Sequence, residues 1–577
     1  MIKMEEKILV LDIETDALNA NTIYVCVTKD LQTGDVSFYR EPDKLLVELK
    51  KYDYYVGHNI LSFDAPILNK LWGTALPINK IRDTLVLSQL FNPDREGKHS
   101  LAALAPLVGM TKIDFNDFSG FSEEMLEYCK MDVEITSALY TYLMEKERQD
   151  FSYKSIILEH KIRHVINRQQ NRGFYLDVRK AHTLMAKIKQ EANQIEYDIL
   201  TQVPLKPKLV KEVTPRIKKD GTLSSVGLQK IENVVGAFSI VEFQKFNLGS
   251  PKQIIDRLNQ YGWKPTQFTP KGSPKITEIN LETISDKAPE ALQKLSQWKM
   301  LTTRAKTIEA WLDEVDDTCR VHGDVYTMGA VTGRMTHRNP NMANIVANDK
   351  PYGYEFRSCW TVPNDDYVLV GMDAKGLELR MLANYMKDDA YSHEVVNGDP
   401  HAYNQKLAGL PTRADAKTFI YAFNYGASDK KLGAIINGSV QQGSQLRKKF
   451  LSNVPKLANL IRNVERAAKR GYVRGIDGRR LMIRQQRKAL NSLLQGAGAI
   501  CCKQWSIFLD EEIMKRKLDA YLVNTIHDEQ QYEVRKDQAE ELVSLADPCI
   551  SKVSDFFNMH IQLNADAKVG MSWAETH

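Results

Sequence analysis

Residues 413–426 read RADAKTFIYAFNYG, a spacing that suits phosphate chemistry. Wound as an α-helix, Arg413, Lys417, Tyr421 and Asn424 fall along one slowly drifting face, with Tyr425 at its edge. Two cations followed one turn on by an aromatic ring suit a nucleoside triphosphate. The charges take the phosphates and the ring packs near the sugar and base. Alone, the same spacing also describes an ordinary solvated helix face. Its meaning comes from the carboxylates on either side of it in the chain.

The first of these lies in VLVGMDAKGLELRMLANY, residues 368–385. Apolar Val368 to Gly371 reads as a buried strand and Gly376 to Tyr385 as a helix just after it, so Asp373 sits at a strand end and Glu378 on the helical turn. The second is YLVNTIHDEQQYEV, residues 521–534, where two strand-like runs flank Ile526-His527-Asp528-Glu529 and place the acids at a hairpin tip. A lone strand-end aspartate is commonly a turn residue. Two carboxylates from separate strands are, however, what a two-magnesium phosphoryl-transfer site requires, with metals about 3.5–4 Å apart. Magnesium prefers such oxygen ligands and keeps several waters.

A separate set of acids lies near the N-terminus. The run KILVLDIET, residues 7–15, is an apolar strand ending in Asp12-Ile13-Glu14, whose acids share one face. VGHNILSFD ends at Asp64, and in EYCKMD the residues Tyr128 and Asp132 are i, i+4 neighbours on a helix.

Asp373 with Glu378, the 413–426 helix, and His527-Asp528-Glu529 resemble, in order and spacing, motifs A, B and C of family A DNA polymerases. Residues 329–345, GAVTGRMTHRNPNMANI, and 489–499, ALNSLLQGAGA, resemble the family's segments that track the primer–template minor groove. With GYVRGIDGRRL at 471–481 and the terminal His577, the chain is similar to the replicative polymerases of short-tailed bacteriophages over essentially its whole length. The resemblance implies that Asp373 and Asp528 hold two Mg2+ ions (with Mn2+ a substitute), assisted by the carbonyl of Ala374. It implies that Arg413, Lys417 and His401 bind the dNTP, that Lys417 protonates the departing pyrophosphate, and that Glu529 assists near the metals without being an obligatory ligand. Tyr421 is placed beside the sugar, Tyr425 near the templating base, and Arg334, Gln495 and His527 on the primer terminus or minor groove. Glu378 is expected to exclude a ribose 2′-hydroxyl by its bulk.

The N-terminal acids resemble the proofreading 3′–5′ exonucleases of the ribonuclease H-like fold. Asp12, Glu14, Asp64 and Asp132 would bind two metals and Tyr128 would orient the attacking water. All expected positions are filled, so this domain is expected to be active. A single-subunit RNA polymerase shares the polymerase chemistry, but Glu378 and a complete exonuclease set argue against it. A non-catalytic DNA-binding protein on a decayed polymerase fold is opposed by the retention of both carboxylate sets.

The elements that must position these residues divide the 577-residue chain, which is long enough for several domains. Strands dominate the start (KILVLDI, TIYVCVTK, DVSFYR, YYVGHN), followed by SLAALAPLVG and a long helix from about Ser122 to Glu147. The expected architecture is a multi-domain α/β protein: an exonuclease domain at 1–148, a thumb at 149–322, and palm and fingers at 323–577, the fingers around 390–500. Helices at 153–172 and 178–200 are assigned to the thumb, and the basic, proline-containing stretch 204–225 reads as an extended loop. Relatives insert a larger basic subdomain there that captures host thioredoxin, and the short insertion puts that processivity partner in doubt; a replicative helicase-primase is the other expected partner.

Formal charge is +5 and hydrophobic content 43%, an ordinary soluble balance, but Arg479, Arg480, Arg484, Arg487 and Lys488 cluster before ALNSLLQ and are expected on the DNA backbone. The seven scattered cysteines suggest neither zinc nor a disulfide framework. With no signal peptide and no apolar run long enough to span a membrane, the expected setting is a cytoplasm, that of an infected bacterium, and the expected state a monomer. Lys375 replaces a residue that is often small, Asn344-Ile345-Val346 lacks a following proline, and without a preceding 5′-nuclease domain nick translation is not expected.

Family members carry Phe or Tyr at the position of Tyr421, and a phenol can supply the hydrogen bond that a missing 3′-hydroxyl would make. Poor discrimination against dideoxynucleotides is therefore expected, with strong discrimination restored in Tyr421→Phe. Equal dideoxy-to-deoxy incorporation ratios for the two proteins would refute the assignment.

Overall fold

The computed structural model describes residues 6–148, 151–222 and 236–577. Two compact units are present: residues 177–314 form one, and residues 1–176 together with 315–577 form the other.

The N-terminal part of the larger unit is built on a five-stranded mixed sheet in the order Val36–Tyr39, Ile23–Asp30, Ile8–Thr15, Tyr54–Gly57, Ile81–Asp83. The first pairings are antiparallel, and those of Ile8–Thr15 with Tyr54–Gly57 and of Tyr54–Gly57 with Ile81–Asp83 are parallel. Val10, Leu11, Val25, Val27 and Val56 are fully buried, as expected of β-branched and aliphatic residues in a covered sheet. The helix Glu123–Tyr142 packs over the strands, its N-terminus capped by Ser122 and with Glu123 and Glu124 in the first turn, where the helix dipole favours acids. The expected helix to Glu147 instead ends as a wider π turn over Leu143–Glu147.

A second sheet of the larger unit is four-stranded and antiparallel, in the order Ala520–Ile526, Glu529–Arg535, Tyr367–Ala374, Ala565–Gly570. Its register sets Asp373 opposite both Glu529 and Asp566. Gly371 is required on the inner strand, because a Cβ there would lie 2.4 Å from the Thr576 carbonyl oxygen. Against the helices Tyr153–Arg172 and Ala539–Phe556, which cover the sheet, runs the helix Ala489–Arg516, apolar on nearly every side and therefore buried along most of its length, with Trp505 wholly enclosed. The helix Arg413–Asn424 buries Ala416, Phe419, Ile420 and Phe423 and leaves Arg413 and Lys417 outward. Phe419 meets Phe450 edge-on at 5.1 Å between ring centroids.

Two expectations change here. The helix Tyr153–Arg172, assigned to the thumb, buries Leu158, Ile162, Val165 and Ile166 in the core of the larger unit. It ends at Gly173, whose φ of 66° and proximity to the His322 ring exclude a side chain. In the smaller unit, the helix Val178–Gln202 lies against Leu295–Asp313. There the basic stretch is not all loop: Lys206–Val213 is a strand paired antiparallel with Phe238–Gln244. Its partner lies well downstream, so local composition carries no sign of it. Residues 223–225 of that stretch lie outside the described residues.

Candidate functional site

The antiparallel turn between the last two long strands builds the first site. His527 occupies it with φ of 56°, a left-handed conformation that turns the chain at the tip. The Ala374 amide donates to the Asp528 carbonyl at 3.1 Å, locking the strand ends that carry Asp373 and Asp528. Asp373, Ala374, Glu378, Tyr421, Tyr425, His527, Asp528 and Arg334 line one cleft of about 500 Å³, closed behind by Gly498 and Ala499 of the long helix.

Burial dominates the electrostatics of this cleft. Burial, with Asp528 and Glu529 nearby, raises the Asp373 carboxyl to about 7. Burial raises Asp528 as well. Glu529 differs: burial opposes its charge, but hydrogen bonds from His577 at 2.9 Å, Gln531 at 2.8 Å and Trp573 outweigh it, and its pKa falls. Arg357 stands 3.9 Å from the same carboxylate. The side chain of Glu529 is thus committed to the C-terminal segment. Sequence reading did not find Trp573 or Arg357, whose part depends on this non-local packing.

Glu378 lies in the first turn of the helix Leu377–Met386 and accepts a hydrogen bond from the Tyr425 hydroxyl at 2.8 Å, with Arg334 3.5 Å away. Burial and the bond to Glu378 raise the Tyr425 phenol, while Arg334 and a hydrogen bond from Gln495 pull the other way. On the outer wall, Arg413 donates to Asp399 at 2.6 Å, and Asp399 caps the helix Pro400–Ala408 through the His401 and Ala402 amides. The His401 ring is 5.9 Å from that of Tyr421, and burial together with Arg413 and Lys417 lowers its pKa. Lys375 is paired with Asp566 at 2.7 Å.

The basic cluster before the long helix is corrected. Arg479 is buried, bound to Asp477 at 2.7 Å and to Glu159 at 2.6 Å, with Lys503 also on Glu159 at 2.6 Å. Arg480 lies over the Tyr472 ring at 4.8 Å, and Arg484 pairs with Asp94. Arg484, Arg487 and Lys488 are the exposed members. A run of arginines looks alike in sequence whether its partners are phosphates or distant buried acids.

The second site gathers the N-terminal acids. Asp12 and Glu14 project from one strand, and their oxygens lie within 4.8 Å of each other and of the Cys129 thiol. Asp64 accepts from the Ile13 amide at 3.1 Å. Burial, then Asp132, raises Asp12 to about 7; burial, then Asp12 and Asp132, raises Glu14 to about 9; burial, then Asp12, raises Asp64 well above the carboxylate range. Asp132 is raised by burial although Lys112 pairs with it, and its Oδ1 atom is buried without a partner. Crowded, desolvated carboxylates with an unpartnered oxygen suit divalent cations. The Tyr128 ring packs on Phe115 at 5.3 Å. Lys112 had no motif to mark it in the sequence, and Cys129, inside EYCKMD, was not singled out.

The sequence profile of DNA polymerase family A matches residues 222–575. The chain is a family A DNA polymerase. It is 31% identical to the DNA-directed DNA polymerase of Enterobacteria phage T3 and 30% identical to that of Escherichia phage T7, in each case over 99% of this chain and 100% of the phage protein. Its fold is similar to the solved POL domain of Pol1 from M. smegmatis in complex with DNA primer-template and dNTP, at a TM-score of 0.77 and 18% identity, covering 99% of this chain and 96% of that one. The expected family and its mixed α/β polymerase fold are therefore the ones found, and the activity is DNA-directed DNA synthesis, which in this family depends on divalent metal. Among the described residues no helix is long and apolar enough to cross a membrane.

With the Asp373 carboxyl raised to about 7, metal binding must displace a proton below that pH. The Mg2+ concentration for half-maximal primer extension should therefore rise as pH falls, by about fivefold from pH 7 to pH 6 for the Asp373 proton. A value independent of pH over this range would contradict the assignment of Asp373 as a ligand.

Proposed function

We propose that this polymerase performs two opposed phosphoryl transfers, extending a primer at the Asp373–Asp528 cleft and removing its 3′ nucleotide at the Asp12–Asp132 cluster. The observation that carries this reading is two separate sets of desolvated carboxylates, each with pKa values raised by burial despite the cations nearby. Asp373 and Asp528, with the Ala374 carbonyl, would hold two Mg2+ ions, and Asp12, Glu14, Asp64 and Asp132 would hold the second pair. When bound, such ions activate the attacking oxygen and stabilise the leaving one.

The chain's own residues do the positioning. Arg413, Lys417 and His401 bind the triphosphate, with Lys417 giving a proton to the departing pyrophosphate. Asp399 keeps the Arg413 guanidinium near the His401 helix until phosphate takes it. Tyr421 packs beside the sugar and Tyr425 near the templating base. Glu378, kept in place by the Tyr425 hydroxyl and Arg334, fills the space a 2′-hydroxyl would need. Arg334, Gln495 and His527 read the primer terminus and minor groove. In the ribonuclease H-like domain, residues 1–148, Tyr128 orients the attacking water. The phage source of two relatives supports genome replication in an infected bacterium's cytoplasm as the setting. A replicative helicase-primase and a processivity factor, host thioredoxin the first to try, are the partners proposed on the sequence resemblance alone.

Separation of the two activities tests the reading. Asp12→Ala should abolish shortening of single-stranded DNA from its 3′ end while leaving primer extension intact. Loss of both activities together, or survival of shortening, would show that the chain does not hold two independent centres.

A further inference from the structure

We propose that Lys112 is a further catalytic residue of the exonuclease centre, its ammonium taking a non-bridging oxygen of the scissile phosphate once Asp132 is committed to metal. The proposal rests on the reading of residues 1–148 as an exonuclease.

Lys112 lies in an irregular segment between Gly109 and the helix Glu123–Tyr142. Its Nζ pairs with Asp132, and it stands 4.6 Å from the centroid of the Tyr128 ring. The segment is held there by its own aromatics. Phe115 stacks on Tyr128 at 5.3 Å with 32° between planes, and Phe118 meets Phe115 edge-on at 5.2 Å and 83°. The loop is thereby pinned over the residues expected to bind metal and orient water, with one cation among the acids.

A counter-ion serving only to neutralise the cluster could be sealed in. Lys112 is not: 23% of its side chain is exposed, against 6% for Asp132, and it lines the open cleft with Asp12, His58, Asn59 and Asp132. A lysine ammonium is a compact point charge on a flexible stem, able to exchange one oxyanion for another nearby. A metal on Asp132 removes the need for the ammonium at that carboxylate, and the phosphodiester brought to the same acids is the next anion within reach. In the hydrolysis, the water oxygen bonds to phosphorus and releases a proton to solvent, while the P–O3′ bond breaks and the departing 3′ oxygen takes a proton from solvent. Lys112 stays charged throughout and offsets the negative charge that builds on the phosphoryl oxygens.

The test uses the full chain with Lys112→Met and Lys112→Arg. Single-turnover removal of the 3′ nucleotide from a single-stranded oligonucleotide is measured beside calorimetric Mn2+ binding, the exonuclease component being the part lost in Asp12→Ala. Primer extension reports that each variant is folded. Lys112→Met should slow cleavage at saturating substrate and metal about 100-fold, with Mn2+ bound as tightly as in the wild type or more so, because a competing cation is gone. Lys112→Arg should recover part of the rate. Cleavage by Lys112→Met at the wild-type rate, or a loss that merely follows weakened Mn2+ binding, overturns the proposal. A wild-type chain that removes no nucleotide defeats the exonuclease reading itself and the proposal with it.

Discussion

Backbone pairing fixes Asp373 and Asp528 at the rim of one cleft, and the chemistry of that cleft depends on it. Two like charges about 4 Å apart repel by about 4 kcal/mol at an effective dielectric of 20, and burial adds to the penalty. Side-chain attraction cannot hold such a pair. The ladder between Tyr367–Ala374 and Glu529–Arg535, closed by the Ala374 amide on the Asp528 carbonyl, does so instead. Burial raises the pKa of both acids, and at Asp373 the charges of Asp528 and Glu529 add to it; a divalent cation would relieve these penalties. The N-terminal cluster follows the same physics on a different sheet, where Asp12 and Glu14 share a strand face and the Ile13 amide orients Asp64.

Around these centres, other charges are deliberately kept out of play. Glu529 is next to Asp528 in the chain, yet His577, Trp573 and Gln531 engage its carboxylate. The buried Glu159 joins Arg479 and Lys503, tying the loop before the long helix to the helix Tyr153–Arg172. Removing one member of such a buried network leaves unpaired charge and typically costs about 3–5 kcal/mol, so these residues hold geometry rather than bind substrate.

The chemistry-bearing residues were legible in the sequence because each sits within a few positions of a strong local signal. Strand-end Asp373, hairpin-tip Asp528 and the Arg413-to-Tyr425 face all follow from periodicities of two and 3.6, and the cleft brings Asp373, Glu378, Tyr421, Tyr425, His527, Asp528 and Arg334 together. What sequence hid is set by distant partners. Arg479 looks like a DNA contact until Glu159, far upstream, is seen beside it. The strand Lys206–Val213 looks like a loop because its partner follows only at Phe238–Gln244. Lys112 belongs to no motif, and only the fold of its loop carries it to Asp132.

The central claim is that Asp373 and Asp528 form the centre of nucleotide addition, independent of the N-terminal acids. It is tested most directly by the single-turnover rate of one dNTP addition to a primed template in Asp373→Asn, with 3′ shortening of a single strand measured on the same preparation. The account predicts that addition falls by at least about 100-fold while shortening continues at the wild-type rate. Addition within a few-fold of wild type, or collapse of both reactions together, would contradict it.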